Sequence, residues 1–593
     1  MNTPVSRTYV LFVNVLVLCV CLILLELALR ATSYGSPATR PDPFFGFPGT
    51  NALFQMQDIP GQSSRYIPAP NKRFLRATFL VKKPSNAYRI FALGGSTTQG
   101  QPYGDSGSFP FWLEQELRLR HPDKVFEVLN VGIRGFGSSR VLQVLREVVH
   151  YEPDLILVYT GQNEFQDARF HPYELRRSER EAEILEYALR SRLLYFSRQL
   201  LVMAMSGARQ ISYGGERIAR VVQAGYSSDN FRSYDYFTVP ELKVLPPRLN
   251  NSRDSAVRAA NPKQSSFIAS LKEIVKRTFR VGWIKIREPD EVFAIFQKNV
   301  AKMIETAKRA QVPIIFIKKA INLQDRNVLT RIRYTIRADE NRLGRWLTYY
   351  RSGVDNLRNS RYSAALLDLQ AVSDLSVVEP PAKNDRLLML YLGRAYEASG
   401  LFDRAVTMYE SRMDAYHLGL NRVLDETATE YGVPVIDAYR HLKNDSPTGI
   451  VGYNYFVDGV HMTWKGYKVL GTALAAFIED YGYLPPGSAN HEAEGPNTIQ
   501  DKVKTLIQSP NAEVQTALGW SAFNQGDPYS AVNLATAAVE MDREDKVTIQ
   551  AHLLLVYAYT KLGNFGHAES SWRDLKRIYL KLVDQEARHA GRR

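Results

Sequence analysis

A chain of 593 residues is too long for a single hydrophobic core, so two or three domains are expected. With 45% hydrophobic and 23% charged residues it reads as globular, which excludes a mainly disordered protein. The formal net charge of +14 is unevenly spread: between His171 and Val300 there are 22 Lys and Arg against 14 Asp and Glu, a local excess of +8. A basic face of that kind attracts anionic lipid heads, acidic glycans or an acidic partner protein, and it fits an ordinary solvated helical surface equally well. No nucleic-acid-binding motif accompanies the charge, so no nucleic-acid partner is expected.

The first element in chain order is apolar. From Tyr9 to Leu29 the only strongly polar side chains are Asn14 and Glu26, and about twenty such residues suffice for a helix to cross a bilayer. A cleaved signal peptide is the competing reading. The run is longer than a typical signal core, and the one small-x-small candidate, Ala31-Thr32-Ser33, directly follows Arg30. An uncleaved single-pass anchor at 8–30 is therefore the expectation, with residues 1–7 cytoplasmic and the folded body outside the cytoplasm, in the periplasm. Both cysteines, Cys19 and Cys21, fall inside this run. The body therefore has no disulfide, no cysteine nucleophile and no thiolate metal site.

After an extended linker at 31–85, short runs rich in Val, Ile, Leu and Phe recur at Arg89–Leu93, Phe126–Val131, Asp154–Tyr159 and Pro313–Lys318, with a weaker one at Pro434–Ala438. Helical stretches such as Phe111–Arg120 and Arg140–His150 separate them. Strands buried on both faces and alternating with helices predict a parallel sheet in an α/β fold, a three-layer α/β/α sandwich. Such sheets bind ligands beyond the carboxyl ends of their strands, where Ser96, Gly132 and Asn163 fall. This core is divided among 86–170, 295–345 and 418–482.

Two insertions divide it. The basic segment at 171–294 mixes helical runs with a Tyr-, Ser- and Pro-rich middle and reads as a lid or a membrane-facing element. The segment at 346–417 carries a repeat: Gly400-x4-Ala405-x3-Tyr409 recurs as Gly526-x4-Ala531-x3-Ala535 and Gly563-x4-Ala568-x3-Trp572, with a degenerate copy at Ser360, Ala365 and Leu369. Small residues at these spacings let antiparallel helices pack closely around a turn, and the array resembles tetratricopeptide repeats. The large side chains of these repeats are expected in the core, and their concave face is a candidate surface for a protein partner. A Pro- and Gly-rich linker at 483–500 leads to terminal repeats at 501–593.

The chemistry-bearing motifs are Gly94-Gly95-Ser96-Thr97-Thr98 after the first strand and Asp458-Gly-Val-His461 far downstream. A serine hydroxyl is a poor nucleophile until an imidazole takes its proton, and the imidazole works best when a carboxylate fixes its tautomer. Taken alone, Ser96 reads equally well as the cap of the next helix, Asn163 as a satisfied turn residue, and His461 as a structural histidine. A phosphate loop is excluded, because Gly100 is not followed by Lys-Ser or Lys-Thr. His-x3-His and His-Glu-x-x-His spacings are absent, so neither a catalytic metal nor another cofactor is expected.

Four blocks in order resemble the SGNH hydrolase superfamily, also called GDSL-type esterases: the Ser96 block, Asn130-Val131-Gly132-Ile133-Arg134-Gly135, Gly161-Gln162-Asn163-Glu164, and the Asp458–His461 block. The resemblance covers roughly 200 residues of sheet and site. It implies Ser96 as nucleophile, His461 as base and then acid, Asp458 as its orienting carboxylate, and an oxyanion hole made by Ser96 N–H, Gly132 N–H and the Asn163 amide. It departs from the family pattern at Gly95, where an aspartate is usual, and at Glu164, where the family has aspartate. The implied function is a membrane-anchored serine esterase or O-acyltransferase acting on acyl groups of envelope glycans or lipids. The alternative is a catalytically silent scaffold of the same fold that holds protein partners through its repeats.

Overall fold

The computed structural model describes residues 7–31, 52–58, 63–69, 75, 77–171, a few positions between 175 and 197, 242–244, 289–324, 334–336, 340–375, 378–379, 386–413, 415–484 and most of 512–591. The basic insertion and the linker at 483–500 fall largely outside the described residues.

The core strands are β4 (Ala87–Gly94), β5 (Val125–Gly132), β6 (Leu155–Tyr159), β8 (Ile314–Lys318) and β11 (Val435–Asp437). They form one sheet in the order β11-β8-β6-β4-β5, every neighbouring pair parallel. The period of two sorts each strand between two cores. Phe91, Leu93, Ile156 and Val158 face one apolar cluster, while Ile90, Ala92, Leu155 and Leu157 face the other. The first cluster is closed by α4 (Ser138–Val148), α6 (Pro289–Arg309) and α11 (Ala415–Tyr431). The second is closed by α3 (Phe109–Arg120), α12 (Ala438–Asp445) and α13 (Trp464–Asp480). Two remaining core helices, α2 (Ser96–Gln99) and α5 (Glu164–Phe170), follow β4 and β6 directly. The result is a three-layer α/β/α sandwich.

The segment expected to be an extended linker is partly folded onto this core. Strands β1 (Phe54–Gln57), β2 (Arg65–Pro68) and β3 (Phe79–Leu80) form a small antiparallel sheet. Its residues Leu53, Phe54 and Phe79 join the first cluster. Arg89 reaches it from β4: fully buried, its guanidinium donates to Glu127 (2.6 Å), Tyr151 O (2.7 Å) and Leu80 O (3.0 Å). A second small sheet joins β7 (Leu242–Val244), β9 (Tyr334–Ile336) and β10 (Val378–Glu379).

The inserted repeat is four helices, α7 (Glu340–Arg358), α8 (Tyr362–Leu375), α9 (Arg386–Ala398) and α10 (Phe402–Glu410), around a core of its own. Four more, α14 (Ala512–Asn524), α15 (Pro528–Met541), α16 (Lys546–Lys561) and α17 (Phe565–Gly591), make the terminal array. The motif positions Ala405, Tyr409, Ala531, Ala535, Ala568 and Trp572 are all buried, as packing between antiparallel helices requires.

Helix α1 covers Arg7–Ala31. Its side chains are described without a break only from Leu16 onward, and among the described residues no helix is long and apolar enough to cross a membrane. Of the expected span at 8–30, the side chains of 8–13 and 15 lie outside the description.

Candidate active site

Strands β4, β5 and β6 end side by side, and each hands the chain to a loop at the same edge of the sheet. Beyond β4, Gly95 caps α2 without any side-chain capping bond. The Ser96 hydroxyl is therefore not a cap; it lies 2.8 Å from His461 Nε2. His461 Nδ1 lies 2.7 Å from Asp458 Oδ2. With the imidazole proton on Nδ1, that nitrogen donates to the carboxylate and Nε2 accepts the serine proton. Side chains separated by 365 residues are thus in line for proton transfer.

The loop carrying Asp458 and His461 is braced internally. Asp458 Oδ1 accepts the N–H groups of Val460 (2.8 Å) and His461 (2.7 Å), and Val457 N–H donates to His461 O (2.9 Å). Burial raises the pKa of the Asp458 carboxyl, but the bonds and charge of His461 and the two backbone N–H groups outweigh it and hold the group below its ordinary range. Half of that side chain nevertheless remains within reach of water.

The oxyanion side of the site differs from expectation at one residue. Gly132 N–H already donates to Asn130 Oδ1 at 3.0 Å, so it is not free for substrate. The glycine is needed there for another reason: a Cβ at that position would sit 2.3 Å from Gln99 N and 2.7 Å from Thr98 C, inside the helix that presents the serine. Three residues on, Ile133 to Phe136 form a turn closed by Phe136 N–H to Ile133 O (3.1 Å), with Gly135 at φ +77°. A positive φ at the third turn position suits glycine. Among the described residues the Gly135 N–H has no acceptor. Asn163 Nδ2 donates to Phe136 O at 2.9 Å and keeps a second hydrogen for the site, and the Ser96 N–H is among the first of its helix, where no intrahelical acceptor exists. Gly135 is visible in the sequence as the second glycine of its block, but nothing local in the sequence shows that the N–H of the first is spent on Asn130.

This turn is clasped from below. Arg140 donates to Gly135 O and to Asp167, and its guanidinium stacks 4.5 Å from the Phe136 ring centre. Asp167 Oδ2 also accepts Gly137 N–H at 3.1 Å. Beside it, buried Glu164 accepts Ser138 N–H (2.8 Å) and Ser138 Oγ–H (2.7 Å). Lys319, also buried, donates to Gly161 O at 3.2 Å and holds the Asn163 turn.

Burial, reinforced by the neighbouring charge of Asp167, pushes the Glu164 carboxyl up from 4.5 to about 7, against the pull of its Ser138 bonds and of Lys319. Between those two values the folded chain binds this proton more completely than the unfolded chain does, so stability falls as pH rises through the interval. Glu164→Gln carries no such proton. Its thermal midpoint is expected to change less between pH 5 and 7 than that of the wild type, read by thermal melts in matched buffers. Identical pH slopes would refute this reading of Glu164.

An α/β sandwich with a serine, an imidazole and a carboxylate in line at the strand ends has the arrangement of a serine hydrolase. No protein-family model matches the chain, and no curated protein does. Among solved structures, a lipase/acylhydrolase from Enterococcus faecalis covers 68% of this chain and 100% of its own, at 13% identity and a TM-score of 0.27. A GDSL-like lipase from Bacteroides thetaiotaomicron covers 66% and 88%, at 12% identity and 0.24. A MamA structure (MSR-1) covers 40% of this chain and 98% of its own, at 14% identity and 0.13. Likenesses at this level carry nothing about substrate or partner.

Proposed function

We propose that the chain is a serine esterase or O-acyltransferase of the SGNH type, working through an acyl-serine at Ser96. The observation that supports this is the unbroken relay from Ser96 Oγ through His461 to Asp458. In the first half-reaction Ser96 Oγ attacks an ester carbonyl while His461 Nε2 takes its proton. The developing oxyanion meets the N–H groups of Ser96 and Gly135 and the second amide hydrogen of Asn163. Collapse breaks the ester bond, and His461 returns the proton to the departing alcohol. In the second half-reaction water or a sugar hydroxyl gives its proton to His461 and attacks the acyl-serine; collapse breaks the acyl–Oγ bond, His461 returns the proton to Ser96 Oγ, and the acid or the new ester leaves.

Helix α1 extends the proposal to a membrane. Several of its described apolar side chains, among them Leu18, Ile23 and Leu24, are more than half exposed, as expected of residues that face lipid. The body then lies outside the cytoplasm, with acyl groups on envelope glycans or lipids as substrates and a protein partner on the repeats. The test is acyl-donor profiling of the detergent-solubilised full chain with acetyl and long-chain esters, with a separate sample treated with a serine-directed phosphonate. Labelling at Ser96 and turnover of one ester class support the enzyme. A folded chain that neither labels nor turns over any ester supports the silent scaffold.

A further inference from the structure

The inserted repeat touches the catalytic loop through two independent sets of contacts. The first is polar and begins just beyond the carboxyl end of β8. Fully buried Asn322 donates its N–H to Gly459 O (3.0 Å) and its side-chain amide to Asp458 O (3.1 Å). Both acceptors lie in the four-residue motif that carries the carboxylate and the imidazole. Asn322 Oδ1 accepts the N–H of Gln324 at 2.9 Å, so the two residues are fixed together. The Gln324 amide then bridges outward: its oxygen accepts Tyr453 N–H (3.1 Å), and its nitrogen donates to Glu397 Oε2 (2.8 Å). Glu397 belongs to α9 of the repeat, and its Oε2 also accepts the hydroxyl of Tyr409 at 2.6 Å. Tyr409 is the last position of the Gly400-x4-Ala405-x3-Tyr409 motif.

The second set is apolar. Ile321, Leu323 and Ile450 belong to the hydrophobic core of the repeat, and Val460, which sits between Asp458 and His461 in sequence, packs against that same core. The surface that the repeat covers is therefore the back of the catalytic loop. Side chains packed on both sides of a loop restrict it far more than solvent does.

We propose that the inserted repeat is the support that holds Asp458 and His461 in reach of Ser96, with Gln324 and Glu397 as positioning residues that join the two. The proposal rests on the serine reading of the site. It gives this insertion a role inside the enzyme that needs no external partner.

The test uses the detergent-solubilised full chain, with phosphonate labelling of Ser96 and turnover of p-nitrophenyl acetate as readouts. Gln324→Glu sets a carboxylate against Glu397 where an amide donated. It is expected to lower kcat by about tenfold with KM nearly unchanged, because a small displacement of a catalytic group costs rate before binding. The exchange Gln324→Glu with Glu397→Gln restores one donor and one acceptor across the same contact; Tyr453 N–H keeps a carboxylate acceptor, and the second hydrogen of the new amide at 397 is donated to the Tyr409 oxygen. It is expected to return kcat to within about threefold of wild type. Glu397→Ala, at a partly exposed helical position, serves if Gln324→Glu does not fold; a several-fold loss in kcat at an unchanged thermal midpoint is expected. A wild type that labels while these variants keep its kcat overturns the positioning role alone, as does an exchange that rescues nothing. A folded wild type that never labels overturns the serine reading and this proposal together.

Discussion

Ser96→Ala is expected to abolish phosphonate labelling and to lower ester turnover by about 10⁴- to 10⁶-fold, with the fold intact. The size of the loss follows from the geometry. Without the hydroxyl, no acyl-enzyme forms, and only water positioned by His461 and the oxyanion donors can attack the ester. The cost to stability is small, because Ser96 makes no helix cap and, among the described residues, its hydroxyl bonds to His461 alone. A single hydrogen bond of that kind is worth about 1 kcal/mol. His461→Ala is expected to match this loss, and the double variant to be no worse than either single one, since residues that act as one relay are not additive. Asp458→Asn is expected to cost about 10⁴-fold, because an amide at Oδ2 favours the tautomer with the proton on the wrong nitrogen. Turnover that survives Ser96→Ala would mean that another group is the nucleophile. Melting midpoints of wild type and variant that agree to within about 4 °C are the control that assigns the loss to chemistry.

Strand positions in the core were legible because each buried strand is a short run of β-branched and large apolar residues between polar boundaries. The run expected at Arg89–Leu93 occupies Ala87–Gly94, and that at Phe126–Val131 occupies Val125–Gly132. The pairing of Asp458 with His461 was legible from three-residue spacing. Its approach to Ser96 is a tertiary contact across most of the chain, and only the ordered blocks suggested it. What stayed hidden has a common cause. Strands β1 to β3 are two to four residues long, too short to show a period, and they are fixed by distant groups such as Arg89 and Glu147, whose carboxylate accepts the N–H groups of Leu53 and Phe54. Gly132 and Gly135 look alike in a string of letters, and the tertiary structure separates them: Gly132 N–H is bonded to Asn130 and a Cβ there would meet Thr98 and Gln99, while Gly135 sits at φ +77° in an open turn. Asn322 and Gln324 stand in no recognised motif. Alternating polar residues immediately after a strand end were the available signal, since that is the edge at which such sheets place their sites.

Gly95 stands where the SGNH pattern that this block resembles has an aspartate, and the second large effect is expected there. A Cβ on residue 95 would stand 2.6 Å from Asn163 Nδ2 and 3.2 Å from Phe136 O. Both atoms belong to the bond that orients the oxyanion amide, so any side chain at 95 must push Asn163 away from the serine or separate it from Phe136. Gly95→Ala therefore tests the geometry without adding charge, and it is expected to lower kcat by about 10²- to 10³-fold, the cost of one lost oxyanion donor. Gly95→Asp, which introduces the residue of the resembled pattern, is expected to do no better, since its carboxylate adds a like charge beside the forming oxyanion. Asn163→Ala should show the same loss as Gly95→Ala. Combining the two should cost little more than Asn163→Ala alone, because the shortened side chain at 163 removes the atom with which the new methyl collides. Losses that multiply in the double variant would mean that the methyl at 95 acts on something other than Asn163. Gly95→Ala with wild-type kcat would mean that the Asn163 amide contributes nothing to the transition state.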